Sequence, residues 1–591
     1  MTMTKRTALL AMTALVALSA CGKSRSDLAR EQQQDSGATT VAASAVTPGV
    51  DMIIHGGPIL TMAGAAPTYA EAIVIDDGKI VFVGSDAEAM AKKTEATVVK
   101  DLGGKLLMPG FIDPHSHFID SLSMADRVNV SAPPVGPASN PDQIVATLKA
   151  AAAKKGLKPG ELLLGWGYDE NLMPKGQPLT RAALDAAFPN NPVGVIHVSM
   201  HGAVINSGAM AKFGYKDGMP TPAGGVILRR NGTQELEGLV METAYLPMFA
   251  NLPGPTPATE MADAKAGQLI YAAAGITTAQ EGATHAPQVA LLQRVAKQGG
   301  LIIDVIAYPF MTDLDTVWKT NPPSTFGRYN NGLKLGGCKI TADGSPQGKT
   351  AWFTTPYLTG GPAGEKNYSG NPGLPVAAMK ATVKSCYDKG LQLNFHANGD
   401  AAIDFLLVAH KEAAGSTPAA DRRTICNHCQ FVRPDQLKLL KTYNMIPSFF
   451  TDHTFFFGAA HIANRGLAQA SFISPMATAW SEGLRPTNHT DAFVTPLDQM
   501  MTVWTASERH LRAGGTLGPA ERVTPYQALQ TITTNAAYQY REEASKGSIE
   551  VGKRADLVVL SADPTEVAPS QIKSIKVVET IKDGKTIWPA S

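Results

Sequence analysis

Leu106-Leu107-Met108-Pro109-Gly110-Phe111-Ile112-Asp113-Pro114-His115-Ser116-His117 is the stretch that decides the fold. Its apolar run reads as a buried strand. Side chains two apart on a strand point to the same side, so His115 and His117 are expected on one wall. Two converging imidazoles suit a borderline divalent ion such as Zn²⁺. A bare His-x-His pair is usually an ordinary surface or core pair. Here four further candidate ligands follow at the ends of other predicted strands: Lys339, His396, His428 and Asp491.

Downstream, apolar strands alternate with helical segments, the pattern of a parallel α/β architecture. Eight candidate strands end near His117, Glu281, Phe310, Asp343, His396, His428, Phe450 and Asp491. The expected fold is therefore a (β/α)8 barrel over residues 109–544, with the candidate ligands at the C-terminal strand ends, where such barrels place their chemistry. About 155 residues separate the first two strands, too many for a loop. This interval is read as an inserted subdomain, about residues 122–270, overhanging the site. It contains strand-like Leu162–Trp166 and Val193–Val198.

Upstream, residues 50–108 alternate short β-rich runs with turns, Asp77-Gly78 among them, and residues 545–591 repeat that texture with a turn at Asp583-Gly584. Two such ends around a different middle predict one small β-sandwich built from both termini. At the extreme N-terminus, Lys5-Arg6 precede an apolar stretch, and Leu18-Ser19-Ala20-Cys21 resembles a bacterial lipoprotein signal. Residues 1–20 are expected to be removed, Cys21 lipidated, and 21–49, rich in Gln, Ser, Ala and Thr, to form a flexible tether to a membrane of the cell envelope, with the rest of the chain on its periplasmic or extracellular face.

The chain has 591 residues, 44% hydrophobic and 17% charged, with a formal net charge of +1. That composition fits a large globular core and gives no electrostatic case for nucleic acid. No later run is long and apolar enough for a transmembrane helix. Cys426-Asn427-His428-Cys429 is read as buried free thiols flanking a functional histidine, a Cys426–Cys429 disulfide being the alternative.

The chain resembles the amidohydrolase superfamily, and within it the YtcJ-like branch, amidohydrolase family 3, which includes N-substituted formamide deformylases. The resemblance covers nearly everything after residue 50. It rests on Gly110–His117, Gly165-Trp166-Gly167-Tyr168-Asp169-Glu170, His201–Ser207 and the closing Gly547–Leu557. It implies two divalent metals, Zn²⁺ in the first instance, bridged by a hydroxide that hydrolyses a C–N bond of amide or N-acyl type in a small, apolar or aromatic substrate. His115, His117 and Asp491 would hold one ion, His396 and His428 the other, and Lys339, carboxylated, would bridge them. Asp491 would be the catalytic proton carrier. An ammonium cannot ligate, whereas a carbamate is an oxygen ligand. A mononuclear deaminase, an esterase or lactonase on the same site, and an inactive solute-binding lipoprotein are the rival readings. An oligomer is left open.

The family's Gly-Ser-Asp-Ala-Pro-Val reads Asn488-His489-Thr490-Asp491-Ala492-Phe493-Val494 here: the aspartate is kept and Phe493 adds bulk. His201, Asp343, His453, Trp166 and Phe455 are the candidate substrate contacts, the last within the aromatic run Phe449–Phe457; Tyr168 and Trp352 are expected to help line the same apolar pocket. Glu281 is a spare ligand should Lys339 not bridge, and His489 a candidate second layer. His55, His285, His410, His461 and His510 are assigned to surface or packing.

Overall fold

The computed structural model describes residues 49–124 and 127–589. The expected signal segment, Cys21 and the tether up to residue 48 lie outside them. No helix among the described residues is long and apolar enough to cross a membrane.

Eight parallel strands carry the molecule's centre: β1 (Phe111–Ile112), β2 (Ile276–Thr284), β3 (Asp304–Pro309), β4 (Gly337–Thr341), β5 (Gln392–Ala397), β6 (Ile425–His428), β7 (Ile446–Phe449) and β8 (Thr487–Asn488). They lie in chain order within two five-stranded sheets. β1, β2 and β3 pair in parallel, and β4 to β8 do the same. Leu333–Leu335 extends the first sheet beside β3, and Phe310 bridges to Lys339 in the second. Gly336 stands at the change of sheet, where an added Cβ would come within 2.6 Å of the Tyr308 ring. Past the strand ends, Asp491 N donates to His115 O (3.3 Å) and His117 N to Ala492 O (3.1 Å).

Helices follow the strands and cover them. Ala286–Lys297 follows β2, Val376–Asp388 follows β4, Asp400–Ala414 follows β5 and Pro434–Thr442 follows β6. Their apolar sides pack on strand residues such as Ile340, Leu393 and Phe395 in one continuous core. Each such side chain contributes about 1.5–3 kcal/mol on burial. A disulfide, Cys338–Cys386, ties β4 to helix Val376–Asp388. The sequence reading had not paired these two cysteines. Cys426 and Cys429 are buried free thiols.

The opening stretch is divided, which corrects the reading of one long strand. Leu106–Pro109 pairs antiparallel with Leu557–Leu560 in a six-stranded sheet that contains strands from both ends of the chain. Only Phe111–Ile112 joins the parallel strands. Gly110 makes the step because a Cβ there would meet Thr277 Cγ2 at 2.5 Å. A four-stranded sheet, Lys79–Gly84, Ala72–Asp76, Met52–His55 and Val98–Asp101, shares a core with the six-stranded one through Ile54, Ile73, Leu107, Leu557 and Ile581. Buried ion pairs join this region to β3: Asp304 lies 2.7 Å from Lys546 Nζ and 2.8 Å from Lys582 Nζ.

The segment between β1 and β2 folds as its own six-stranded sheet, in which Leu163–Tyr168 and Val193–His197 pair in parallel. Helix Pro141–Lys155 packs on it, started by Asn140 capping Gln143 N and stopped by Gly156 at φ +63. Both devices satisfy helix-end groups that have no partner within the helix.

Candidate metal centre

His115 and His117 lie beyond the end of β1, not on it, since the strand stops at Ile112. They converge because the chain turns at Asp113 and Pro114. Asp113 is buried and accepts from His115 N (3.3 Å), Gln280 N (3.3 Å) and Ser116 Oγ. Asp491, past β8, faces both imidazoles: its Oδ1 is 3.3 Å from His115 Nε2 and 3.3 Å from His117 Nε2. His428, at the end of β6, lies 3.9 Å from Asp491 Oδ2 and 3.1 Å from His396 Nδ1. Lys339 Nζ is 3.4 Å from His115 Nε2. All six expected ligands are thus gathered at one end of the parallel strands. Ligand atoms of His115, His428 and Asp491 fall within 4.8 Å of one another.

The backbone is strained where these side chains emerge. His428 and Asp491 have φ of +65 and +48, the left-handed region that side-chain-bearing residues seldom adopt. That conformation turns each side chain back over the strand ends.

Burial governs the electrostatics. It pulls His115 down to about 3, aided by the Lys339 charge, and it lowers His396, His428 and His489. These rings are therefore neutral, the form that ligates. Burial also draws Lys339 down to about 8 against the pull of Asp491 and Glu281. Burial would raise Asp491, but His428, His115 and His117 outweigh it and hold the carboxyl well below its usual range. Asp491 Oδ1 finds no hydrogen-bond partner among the described residues.

A supporting layer fixes the rings. Gln280 Oε1 faces His115 Nδ1, while Gln280 Nε2 donates to Pro114 O (2.7 Å) and Tyr540 Oη (2.6 Å). The amide geometry makes Nδ1 the donor and leaves the Nε2 lone pair toward Asp491 and Lys339. Glu281 accepts from Ile119 N (2.7 Å) and Ala283 N (3.0 Å) and lies 4.0 Å from His117 Nδ1. Asp343 accepts from Trp352 N, Asn398 N and Gly399 N and lies 3.4 Å from His396 Nε2. These contacts tie the loops after β4 and β5 together beside the His396 ring.

The insert reaches the centre through His201, whose ring lies 5.7 Å from that of His396. Its Nδ1 is 3.0 Å from Glu242 Oε2. Sequence reading missed Gln280 and Glu242, which carry no motif. The Gln-Glu dipeptide at the end of β2 was the available signal for the first. His489 packs its ring 5.2 Å from His115 and 5.0 Å from His428, with the Phe450 ring tilted against it at 4.8 Å. His453 is buried, its Nδ1 3.0 Å from His461 Nε2. Trp166, Phe456, Phe457 and Phe493 line a narrow cavity of about 20 Å³, room for about one water. Phe455 instead packs on Trp504 and Phe456, Tyr168 on His197, and Trp352 on Phe405, so these three do not line it.

Four imidazoles, one carboxylate and a buried lysine are nitrogen and oxygen donors of the kind that hold divalent first-row ions. A carboxylate oxygen without a donor of its own fits such an ion. Parallel strands that converge these groups at their C-terminal ends define the class, a parallel α/β protein with a candidate metal centre. The chain belongs to the amidohydrolase family, whose model matches residues 98–588. It is an enzyme, a hydrolase of carbon–nitrogen bonds other than peptide bonds. The chain is 26% identical over 555 residues to an N-substituted formamide deformylase of Arthrobacter pascens, covering 90% of this chain and 97% of that protein. It is 25% identical to the putative amidohydrolase YtcJ of Bacillus subtilis, over 91% of this chain and 99% of the other. A solved structure of an uncharacterised metal-dependent hydrolase from Pyrococcus horikoshii has a TM-score of 0.69 at 21% identity, covering 88% of this chain and 99% of that one; it shares the fold.

Proposed function

We propose that this protein hydrolyses an amide or N-acyl bond in a small apolar or aromatic substrate, at a pair of divalent ions, zinc in the first instance, within one closed (β/α)8 barrel. The observation that carries the reading is the Asp491 carboxylate set 3.3 Å from both His115 Nε2 and His117 Nε2, with Oδ1 lacking a donor. The backbone bonds from Asp491 N to His115 O and from His117 N to Ala492 O support closure between β8 and β1.

In this reading His115, His117 and Asp491 hold one ion, His396 and His428 hold the second, and Lys339, carboxylated, stands between them. Bound there, the ions would polarise the amide carbonyl and bring the pKa of water to about 7. Gln280 keeps His115 Nε2 free, and Glu281 aims His117. His201, tied by Nδ1 to Glu242, turns Nε2 toward the carbonyl oxygen. Asp491 takes a proton from the attacking water and returns it to the leaving nitrogen. The Phe493 wall excludes water from one side of the bond.

N-formyl and N-acyl amines are the first substrates to try, given the name of the Arthrobacter pascens relative. Release of free amine by the zinc-loaded protein, abolished by chelation and restored by zinc, supports the reading. Stable metal binding without turnover across formyl, acetyl and aromatic amides would overturn it. The Cys21 signal adds a proposal about place: lipid attachment in the cell envelope. Fatty-acid labelling that survives Cys21→Ala would remove it.

A further inference from the structure

His489 is an imidazole that the proposed reaction does not use. It stands two residues before Asp491 and is fully buried. Neither its Nδ1 nor its Nε2 makes a hydrogen bond among the described residues. Two equally buried histidines elsewhere show what packing alone asks of such a ring. His197 faces Ser199 Oγ with Nδ1 and Glu170 Oε2 with Nε2, both at 2.7 Å. His410 faces Tyr387 Oη with Nδ1 (2.7 Å) and Pro418 O with Nε2 (2.9 Å). Burying a polar group without a partner costs free energy, and such groups are few in native proteins. A ring with neither nitrogen satisfied therefore points to a missing partner.

The surroundings of the ring indicate what that partner is. The ring centres of His489, His115 and His428 form a nearly equilateral triangle, with sides of 5.2, 5.0 and 5.3 Å. His115 and His117, which face Asp491 together, are likewise 5.3 Å apart. With Zn–N bonds of about 2.0–2.1 Å, imidazole centres stand about 3.2 Å from an ion, hence about 5.2 Å from one another on a tetrahedral one. The Phe450 ring, 4.8 Å away, offers no hydrogen-bond partner. The Ser448 backbone carbonyl lies beside the ring. Taking one N–H there leaves the other nitrogen as a lone pair, the arrangement that Gln280 gives His115. The backbone is anchored where the side chain departs, His489 N donating to Phe449 O (3.1 Å).

We propose that His489 is a further ligand of the metal centre, a seventh side chain placed at the junction of the His115 and His428 rings, in place of the supporting role expected from its position. The proposal rests on the reading that the groups at the strand ends hold divalent ions. A further neutral nitrogen donor would tighten the hold on an ion without changing the charge of the ligand set.

Zinc binding to the metal-stripped protein, read by competition with a chromophoric chelator, tests this. His489→Leu should weaken the hold on an ion at least about tenfold. His489→Gln, whose amide oxygen can ligate, should recover part of that loss. Without metal, His489→Leu should melt no lower than the parent, because two unpartnered polar atoms leave a buried position, while the rise in Tm on adding zinc should shrink. A histidine that only packs would give the reverse, a lower Tm without metal and an unchanged affinity, and that result would overturn the proposal. Crystals of the zinc-loaded parent serve if the variants do not fold: anomalous density should place an ion about 2.0–2.1 Å from one His489 nitrogen. Ions seated among the other six side chains with both His489 nitrogens out of reach would overturn it as well. A parent that binds no divalent ion would sink the metal reading itself, whereas zinc bound with equal affinity by the parent and both variants would remove His489 alone.

Discussion

Lys339 Nζ stands 3.4 Å from His115 Nε2, with both side chains fully buried. Two basic groups at that separation repel if both are cationic, so at most one of them carries a charge readily. Gln280 occupies the far side of the imidazole, so the lone pair of His115 faces the lysine. The lysine is itself drawn down to about 8 by burial. An uncharged amine is the form that reacts with carbon dioxide, and a carbamate at Lys339 would put oxygen where two nitrogens now face each other.

Lys339→Ala should lower turnover steeply and release part of the bound metal. Formate or acetate added to the assay should restore a fraction by occupying the vacated position. Unchanged turnover with full metal content would remove Lys339 from the site.

Asp491→Asn nearly conserves volume and should fold as the parent does. It should lose proton transfer, with kcat down roughly 10²–10⁴-fold. Near-normal kcat at full metal occupancy would contradict the role assigned to this carboxylate.

Gln280→Leu removes the acceptor that sets the His115 tautomer. Loss of such a supporting partner typically weakens metal affinity about 10–100-fold. Competition with a chromophoric chelator measures it, and an unaltered affinity would make Gln280 a packing residue only.

Trp166→Ala opens the cavity wall next to Phe493. The ratio of kcat/KM between bulky and small apolar amides should shift roughly 10–200-fold, with metal content constant. Equal loss on all substrates would mean that the ring supports the fold rather than specificity.

Acid stability should depend on Asp304. Burial alone would raise its pKa, but Lys546, Lys582 and Arg554 outweigh burial and hold it well below its usual range. A depressed carboxylate stabilises the fold above the unfolded value of about 3.9 and loses that contribution as pH falls below it. Asp304→Asn should cost about 3–5 kcal/mol at neutral pH by leaving buried lysines unpaired. Its Tm should fall less than the parent's between about pH 4 and pH 2.5. Parallel Tm curves for the two proteins would show that other groups govern acid unfolding.

The local sequence determined the periodic part of this protein. Apolar runs ending in or near His117, Asp343, His396 and His428 are visible in one dimension, because a buried parallel strand needs a largely apolar stretch and a polar group at its end declares itself. The alternation of such runs with helices also fixed their order. Tertiary structure decided what spacing does not encode. Gly110 divides the Leu106–Ile112 run between two sheets because Thr277, far along the chain, leaves no room for a Cβ. His115 and His117 converge through a turn held by Asp113, not through strand alternation. Gln280 and Glu242 stand behind His115 and His201, and no motif marks them. Which of Phe455, Phe456 and Phe457 faces the cavity depended on a short helix, His453–Phe456, that turns adjacent rings in different directions. Cys338 and Cys386 meet because a helix folds back over its strand. Contacts of this kind arise between residues distant in sequence, and only the packed chain brings them together.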